Sequence, residues 1–219
     1  METEIAILMA DLTGYTAMTD VHGGASAAKI VGKYMEIVDA ALHGTAKVMQ
    51  RIGDQVVMIA EDAVDLLETA RKLNTLTREE QHFLSIHAGL HYGEIVIENN
   101  NLFGSTINVA ARIMNVACRG EIICSSNFFT QLPPESQQLF RSIGIRKLKN
   151  VMTQIELFEL IPMLANEVYI DPVCHMHIDR TKPSQFADHS GVTYHFCGEH
   201  CKLLFLAAPE QFLAPSEDM

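Results

Sequence analysis

Metal-binding side chains are concentrated at the C-terminal end of this chain. Three of its five cysteines and five of its ten histidines lie within the last 46 of 219 residues. A segment of about 50 residues rarely has enough hydrophobic core to be stable by itself, and such modules commonly need a bound metal or another cross-link. The sequence therefore predicts two parts, a larger one at 1–162 and a small cysteine-rich one at 168–219, joined by a linker at 163–167.

Composition excludes several classes of function. The chain is 48% hydrophobic and 20% charged, which is typical of folded proteins. Its net charge of −11 and the absence of a lysine or arginine run argue against nucleic-acid binding. No apolar stretch approaches the 18 or so residues of a membrane span, and the N-terminus lacks the basic start of a signal peptide. We therefore expect a soluble cytoplasmic protein with no nucleic-acid or membrane partner and no disulfides.

The larger part interleaves strand and helix patterns. Apolar runs and alternating residues predict strands, and apolar residues at helical spacing predict helices. The predicted strands are 5–10, 56–60, 84–92, 121–124 and 154–160. The predicted helices are 25–42, 64–73 and a third that Ser105 or Thr106 caps and that ends near Val116. This order indicates an α/β or α+β fold.

Two aspartates lie beside the predicted buried strands. Asp11 follows the first strand directly, and Asp54 precedes the second, 43 residues later. Carboxylates at strand ends are well placed to bind Mg²⁺, and two of them could hold two ions for phosphate chemistry. Each aspartate alone is equally compatible with a local turn.

A third polar pair follows a glycine turn. Asn108 and Arg112 are four residues apart and therefore share one face of the predicted third helix. An amide and a guanidinium on one face suit a phosphate or a ribose oxygen, although a solvated polar stripe has the same pattern.

Five motifs occur in the order found in one enzyme family. They are Ala10–Thr16, Ile52–Asp54, Ile86–Gly93, Phe103–Arg112 and Leu148–Asn150. Together they resemble the catalytic domain of class III nucleotidyl cyclases over about residues 3–161. The resemblance implies a ferredoxin-like α+β core and a head-to-tail homodimer whose active sites lie at the dimer interface. It also implies conversion of a nucleoside triphosphate to the 3′,5′-cyclic nucleotide and pyrophosphate.

The resemblance assigns roles to individual residues. Asp11, Asp54 and the carbonyl of Leu12 would bind two Mg²⁺ or Mn²⁺ ions per site. Asn108 and Arg112 would be the catalytic pair that orients the ribose and stabilises the transition state. Lys149 would bind the terminal phosphates.

Two positions depart from the family pattern. Adenylate cyclases carry lysine and aspartate at the base-recognition positions, where this chain has Gln50 and Asn101. An amide both donates and accepts hydrogen bonds, so the pair is compatible with adenine or with guanine. Guanylate cyclases typically carry glutamate and cysteine there, so the sequence favours ATP over GTP.

The small part has the spacing of a thiolate metal site. Cys174 is followed by 22 residues, Cys197, three residues and Cys201. Three thiolates and a fourth group form a tetrahedral site. The candidate fourth ligands are His175, His177, His195 and His200. The alternative is three reduced thiols in a small core, which we also expect for Cys118 and Cys124 in the larger part.

The residues around these cysteines resemble a second family. Asp171–Met176, Tyr194–Cys197 and Pro209–Phe212 resemble the YHS domain, which is related to the cysteine-rich TRASH modules. The resemblance implies a β-hairpin-and-helix module that binds a transition metal such as Zn, Fe or Cu.

The sequence thus predicts an adenylate cyclase-like enzyme of cyclic-nucleotide signalling, regulated through metal binding to its C-terminal module. One alternative is a non-catalytic cyclase-homology scaffold for dimerisation, fused to a metal sensor. Another is a cyclase whose module docks a partner protein.

Overall fold

The structure is a computed structural model that describes residues 2–99, 101–162, 168–182 and 184–213. The predicted linker at 163–167 lies outside the described residues.

Within these residues the larger part is built on one eight-stranded sheet. Its order is β2-β3-β1-β4-β6-β8-β7, with β5 paired to β4. All neighbouring pairs are antiparallel except β4 and β6. The strands are β1 Glu2–Leu12, β2 Lys47–Ile52, β3 Gln55–Ala60, β4 Ile86–Glu98, β5 Asn101–Phe103, β6 Ile122–Ser125, β7 Phe140–Arg146 and β8 Ile155–Leu160.

Helices cover both faces of this sheet because β1 and β3 are apolar on both faces. Ala6, Leu8 and Ala10 face α1 and α2, whereas Ile7 and Met9 face α3. The helices are α1 Tyr15–Ala41, α2 Ala63–Glu79, α3 Ser105–Met114, and the short α4 Ser126–Phe129 and α5 Pro134–Gln137. The mixed fold confirms the predicted α+β class.

Two of the helix predictions were wrong in detail. The prediction of the first helix at 25–42 matches the second segment of α1, which follows a break at Gly23 with φ of 77°, but it missed the segment from Tyr15 to the break. The third helix is capped by Gly104, with φ of 137°, and not by Ser105 or Thr106. The hydroxyl of Thr106 donates instead to the carbonyl of Glu94 at 2.6 Å.

The small part contains a β-hairpin followed by a helix, as predicted. Its elements are β9 Val168–Ile170, β10 His177–Asp179, β11 Gln185–His189, β12 Val192–Phe196, α6 Glu199–Ala207 and α7 Pro209–Leu213. Phe196 and Phe205 are fully buried at its centre, where their rings lie 5.2 Å apart.

The small part is docked on the larger one. Val173, Met176 and Phe205 belong to the same hydrophobic cluster as the core of the larger part. The backbone amide of His177 donates to the carbonyl of Phe83 at 2.7 Å, and its ring nitrogen Nε2 lies 2.6 Å from the hydroxyl of Ser85. The module therefore shares a core with its neighbour instead of depending only on its own.

In the described part of the chain, no helix combines the length and the hydropathy that crossing a membrane requires.

A buried histidine makes the fold sensitive to acid. His91 is 6% exposed, and its Nδ1 lies 2.7 Å from the hydroxyl of Ser125 on β6. Burial lowers the pKa of His91 to about 4. Between that value and the ordinary pKa of about 6.5, the unfolded chain binds a proton that the folded chain does not, so stability falls as the pH falls.

We expect the free energy of unfolding to decrease by about 2 kcal/mol between pH 7 and pH 5 because of His91. The variant His91→Gln cannot take up this proton and should lose correspondingly less stability over the same interval. Urea unfolding of both proteins at the two pH values measures the difference. Equal losses in both proteins would contradict the expectation.

Candidate active site and metal centre

Strand pairing brings Asp11 and Asp54 together at one end of the sheet. Asp11 is the penultimate residue of β1, and Asp54 lies in the turn between β2 and β3, after Gly53 with φ of 64°. The pairing of Ala10 with Val56 places that turn beside Asp11. The two side chains are hydrogen-bonded to each other, and a carboxylate oxygen of Asp11 accepts from the backbone amide of Leu12 at 3.1 Å.

The electrostatics of this pair are those of a cation site. Burial, together with the negative charge of Asp11, raises the pKa of Asp54 to about 7. Burial also raises the pKa of Asp11. Two half-buried carboxylates this close cannot both ionise readily unless a cation or a shared proton offsets their repulsion. Their oxygen chemistry fits Mg²⁺ or Mn²⁺.

His87 is a neighbour of this pair that the sequence analysis missed. It pairs with Asp11 across β1 and β4, and its Nδ1 lies 3.1 Å from the hydroxyl of Thr13. Burial lowers its pKa, and the charge of Asp54 opposes this shift. Its signals in the sequence were its place in the predicted strand 84–92 and in the motif Ile86–Gly93, neither of which gives it a role.

Asn108 and Arg112 lie on α3 and point away from the sheet. Ala110 and Met114 pack on the sheet, and Asn108 is exposed on nearly the opposite side of the helix. Gly89 allows this close packing, because a Cβ there would lie 2.3 Å from the Met114 amide nitrogen. Among the described residues, neither Asn108 nor Arg112 makes a side-chain hydrogen bond or ion pair, so the structure does not bring them to the aspartates of the same chain.

The remaining predicted substrate residues are accessible to solvent. Gln50 is half-buried on β2, and Asn101 is exposed on β5, where its amide donates to the carbonyl of Asn99 at 3.2 Å. Their sequence neighbours Met49 and Leu102 belong to one hydrophobic cluster beneath α3. Lys149 is exposed in the turn between β7 and β8.

The three cysteines of the module converge. The sulfur of Cys197 lies 3.5 Å from the sulfur of Cys174 and 3.5 Å from that of Cys201. Hydrogen bonds from the thiols of Cys174 and Cys201 hold the pKa of Cys197 well below its usual range. A thiolate is the form that binds metals. The donor set therefore fits a soft transition metal, as the sequence predicted.

Asp171 is fully buried, and it organises the two loops that carry Cys174 and Cys197. One carboxylate oxygen accepts from the amides of Val173 at 2.8 Å and Cys174 at 3.3 Å. The other accepts from the amide of Cys197 at 2.7 Å. Asp171 belongs to the motif Asp171–Met176, but the sequence alone indicates no role for it.

The prediction of the fourth ligand was wrong, because none of the four candidate histidines lies in the cluster of cysteine sulfurs. Two of them contact residues of the larger part, His175 at Arg119 and His177 at Ser85. His195 stacks on Tyr169, and His200 is exposed. The histidine that does lie beside the sulfurs is His22 of α1.

The predictions for the other two cysteines differ in outcome. Cys124 is fully buried on β6, as expected for a core thiol. Cys118 is exposed, so that prediction was wrong. Cys118 follows the end of α3 in a surface turn, where its backbone amide donates to the carboxylate of Glu121 at 2.8 Å.

Known proteins resemble the two parts separately. Residues 169–216 match the YHS domain family. A stretch of 49 residues, 22% of this chain, is 43% identical to 6% of a copper-transporting P-type ATPase from Rhizobium leguminosarum bv. viciae. The pH-sensitive adenylate cyclase of Mycobacterium tuberculosis is 26% identical over 160 residues, which cover 72% of this chain and 40% of that protein.

A solved structure decides the architecture of the larger part. The adenylate/guanylate cyclase/hydrolase of Silicibacter pomeroyi matches 74% of this chain and 98% of its own, with a TM-score of 0.63 and 23% identity. The larger part has the nucleotidyl cyclase fold. This domain with the cyclase fold is followed along the chain by the YHS-type module, as the two resemblances implied. The chain spans less than half the length of the mycobacterial relative.

Proposed function

We propose that this chain is a class III nucleotidyl cyclase that converts ATP to the 3′,5′-cyclic nucleotide and pyrophosphate. The observation that carries the proposal is the pair formed by Asp11 and Asp54. Their half-buried, hydrogen-bonded carboxyls have raised pKa values that a divalent cation would relieve. The nucleotidyl cyclase fold and the relatives named as adenylate cyclases support this reaction over other phosphoryl chemistry.

In this proposal the two aspartates and the carbonyl of Leu12 hold two Mg²⁺ or Mn²⁺ ions. The chemistry these ions supply when bound is activation of the 3′-hydroxyl and neutralisation of phosphate charge. Asn108 holds the ribose so that its 3′-oxygen faces the α-phosphate, which makes the attack intramolecular. Arg112 donates to the α-phosphate oxygens as negative charge develops there.

We propose that a complete site requires two copies of this chain arranged head to tail. The outward direction of Asn108 and Arg112 supports this arrangement, because a second chain could bring its aspartates to them. Apolar side chains are also exposed beside the predicted site residues. These are Ile52, Phe103 and Met152. Exposed apolar groups of this kind mark interaction surfaces when they form a patch.

The proposed substrate is ATP in a cytoplasmic protein, with Lys149 binding the terminal phosphates. The amides of Gln50 and Asn101 can satisfy either purine by reorienting, so we expect only a modest preference for ATP over GTP. The test is an assay of cyclic nucleotide and pyrophosphate with either nucleotide and Mg²⁺ or Mn²⁺.

The matched variant Gln50→Lys/Asn101→Asp should raise the ratio of kcat/KM for ATP over GTP by about 10-fold or more, because a fixed donor and a fixed acceptor replace two adaptable amides. An unchanged ratio would show that these residues do not contact the base. Absence of product above an Asp54→Asn control with both nucleotides would overturn the cyclase proposal itself.

We also propose that metal binding to the YHS-type module regulates the cyclase. Support comes from the contact between the module and the turn that follows Asp11. A Cβ at Gly14 would lie 2.5 Å from the Cβ of His175, so the two backbones approach closely. The same assay with Zn²⁺ titrated into metal-free wild type and into Cys197→Ser tests the proposal, and identical curves would contradict it.

A further inference from the structure

A histidine of the cyclase domain lies inside the cysteine cluster of the module. Nε2 of His22 is 3.7 Å from the sulfur of Cys197 and 3.6 Å from the sulfur of Cys201. All four candidate ligand atoms, including the sulfur of Cys174, lie within 4.8 Å of one another. Among the described residues, the ring of His22 has no other hydrogen-bond partner.

These spacings are those of a tetrahedral metal site. With Zn–S bonds of about 2.3 Å and Zn–N bonds of about 2.0 Å, the ligand atoms of a tetrahedron lie about 3.5 to 3.8 Å apart. The four distances recorded between the sulfurs and Nε2 are 3.5, 3.5, 3.7 and 3.6 Å. Three thiolates and one imidazole are a donor set that suits Zn²⁺.

The position of His22 in the chain suits a ligand that joins two domains. It is the last residue before the break in α1 at Gly23, whose φ is 77°. The first segment of α1 therefore ends with the imidazole of His22 at the module. The second segment, after the break, packs along the sheet. The loops that carry Cys174 and Cys197 are held by the hydrogen bonds of Asp171.

We propose that His22 is the fourth ligand of the module's metal ion, so that one tetrahedral Zn²⁺-type site is built jointly by the cyclase domain and the module. The ion then joins the first segment of α1, residues 15–22, directly to the cysteine loops. This inference concerns the join between the two domains and holds whether or not the chain has cyclase activity.

The test is titration of the metal-free full-length chain with Co²⁺, whose visible spectrum reports tetrahedral coordination, and competition with Zn²⁺. We expect His22→Gln to weaken Zn²⁺ binding about 100-fold or more. Removal of a residue that only hydrogen-bonds to a metal ligand already lowers metal affinity about 10–100-fold. The Co²⁺ bands should shift as water replaces nitrogen. The matched control is His200→Gln, an exposed histidine of the module that should bind as the wild type does.

Hydrogen exchange gives a second readout that a folding defect would not reproduce. In the wild type, Zn²⁺ should slow amide exchange in residues 15–22 as well as in the cysteine loops. In His22→Gln, at Zn²⁺ concentrations that saturate it, only the loops should be protected. Cys201→Ser serves as the reference for loss of a ligand within the module.

Two results would overturn the inference. One is wild-type affinity and an unchanged Co²⁺ spectrum in His22→Gln. The other is metal protection confined to the module in the wild-type chain. Far-ultraviolet circular dichroism of each metal-free variant verifies that the folds being compared are the same.

Discussion

Replacing Asp54 by asparagine is expected to lower the cyclase rate about 10³-fold. The change removes a negatively charged metal ligand while it preserves the size of the side chain. Metal ions contribute several kcal/mol of transition-state stabilisation in phosphate chemistry, and each 1.36 kcal/mol is tenfold in rate. The measurement is steady-state formation of cyclic nucleotide from ATP at saturating Mn²⁺, where residual metal binding is most favourable.

Asp62→Asn is the matched control for this substitution. Asp62 is the N-cap of α2, and its carboxylate accepts from the amide of Val64 at 2.8 Å. Asparagine caps helices as well as aspartate does, so this variant should retain wild-type activity and stability. Activity within tenfold of wild type in Asp54→Asn would exclude Asp54 as a ligand of the catalytic metals.

The second large effect concerns how two chains share the active sites. If each site takes Asp54 from one chain and Arg112 from the other, a dimer of Asp54→Asn with Arg112→Ala retains one intact site. Such heterodimers, co-expressed with two affinity tags and purified through both, should have about half of the wild-type activity per dimer. Each variant alone should be nearly inactive, since loss of a preorganised charge donor costs about 10²–10³ in kcat.

The decisive control places both substitutions in one chain. A heterodimer of wild type with the double variant Asp54→Asn/Arg112→Ala contains the same substitutions but no complete shared site. We expect it to be nearly inactive. If instead this dimer is half-active and the first one is not, each site lies within a single chain, and the head-to-tail proposal is wrong.

The predicted site residues differ in what the sequence can say about them. Asp11 and Asp54 each carry a local signal, a turn beside a buried strand, and antiparallel pairing of β1 with β3 is enough to bring them together. The raised pKa of Asp54 needs more, because it depends on how deeply the pair is buried and on the distance between the carboxyls. Neither quantity can be derived from residue spacing.

At the start of α3 and at Cys118, tertiary packing outweighed the preference of the local sequence. Thr106 has a good capping side chain, yet its hydroxyl donates to Glu94 on β4 because α3 packs closely on that strand. Cys118 is of a residue type that is usually buried, but the surface turn at the end of α3 exposes it. In both cases tertiary packing decided the outcome.

By itself the sequence determined the mixed helix-and-strand content and the three cysteines, because periodicity and ligand spacing are short-range properties. The resemblance of its motifs to a known family added the α+β class and the roles of the two aspartates. The tertiary structure alone decided that, among the described residues, Arg112 makes no ion pair with Asp54, and that His22, 152 residues before Cys174, lies in the cysteine cluster. The physical reason is that the module shares a hydrophobic core with the larger part of the chain. Which helix it meets there depends on the packing of complementary apolar surfaces, for which no local pattern exists.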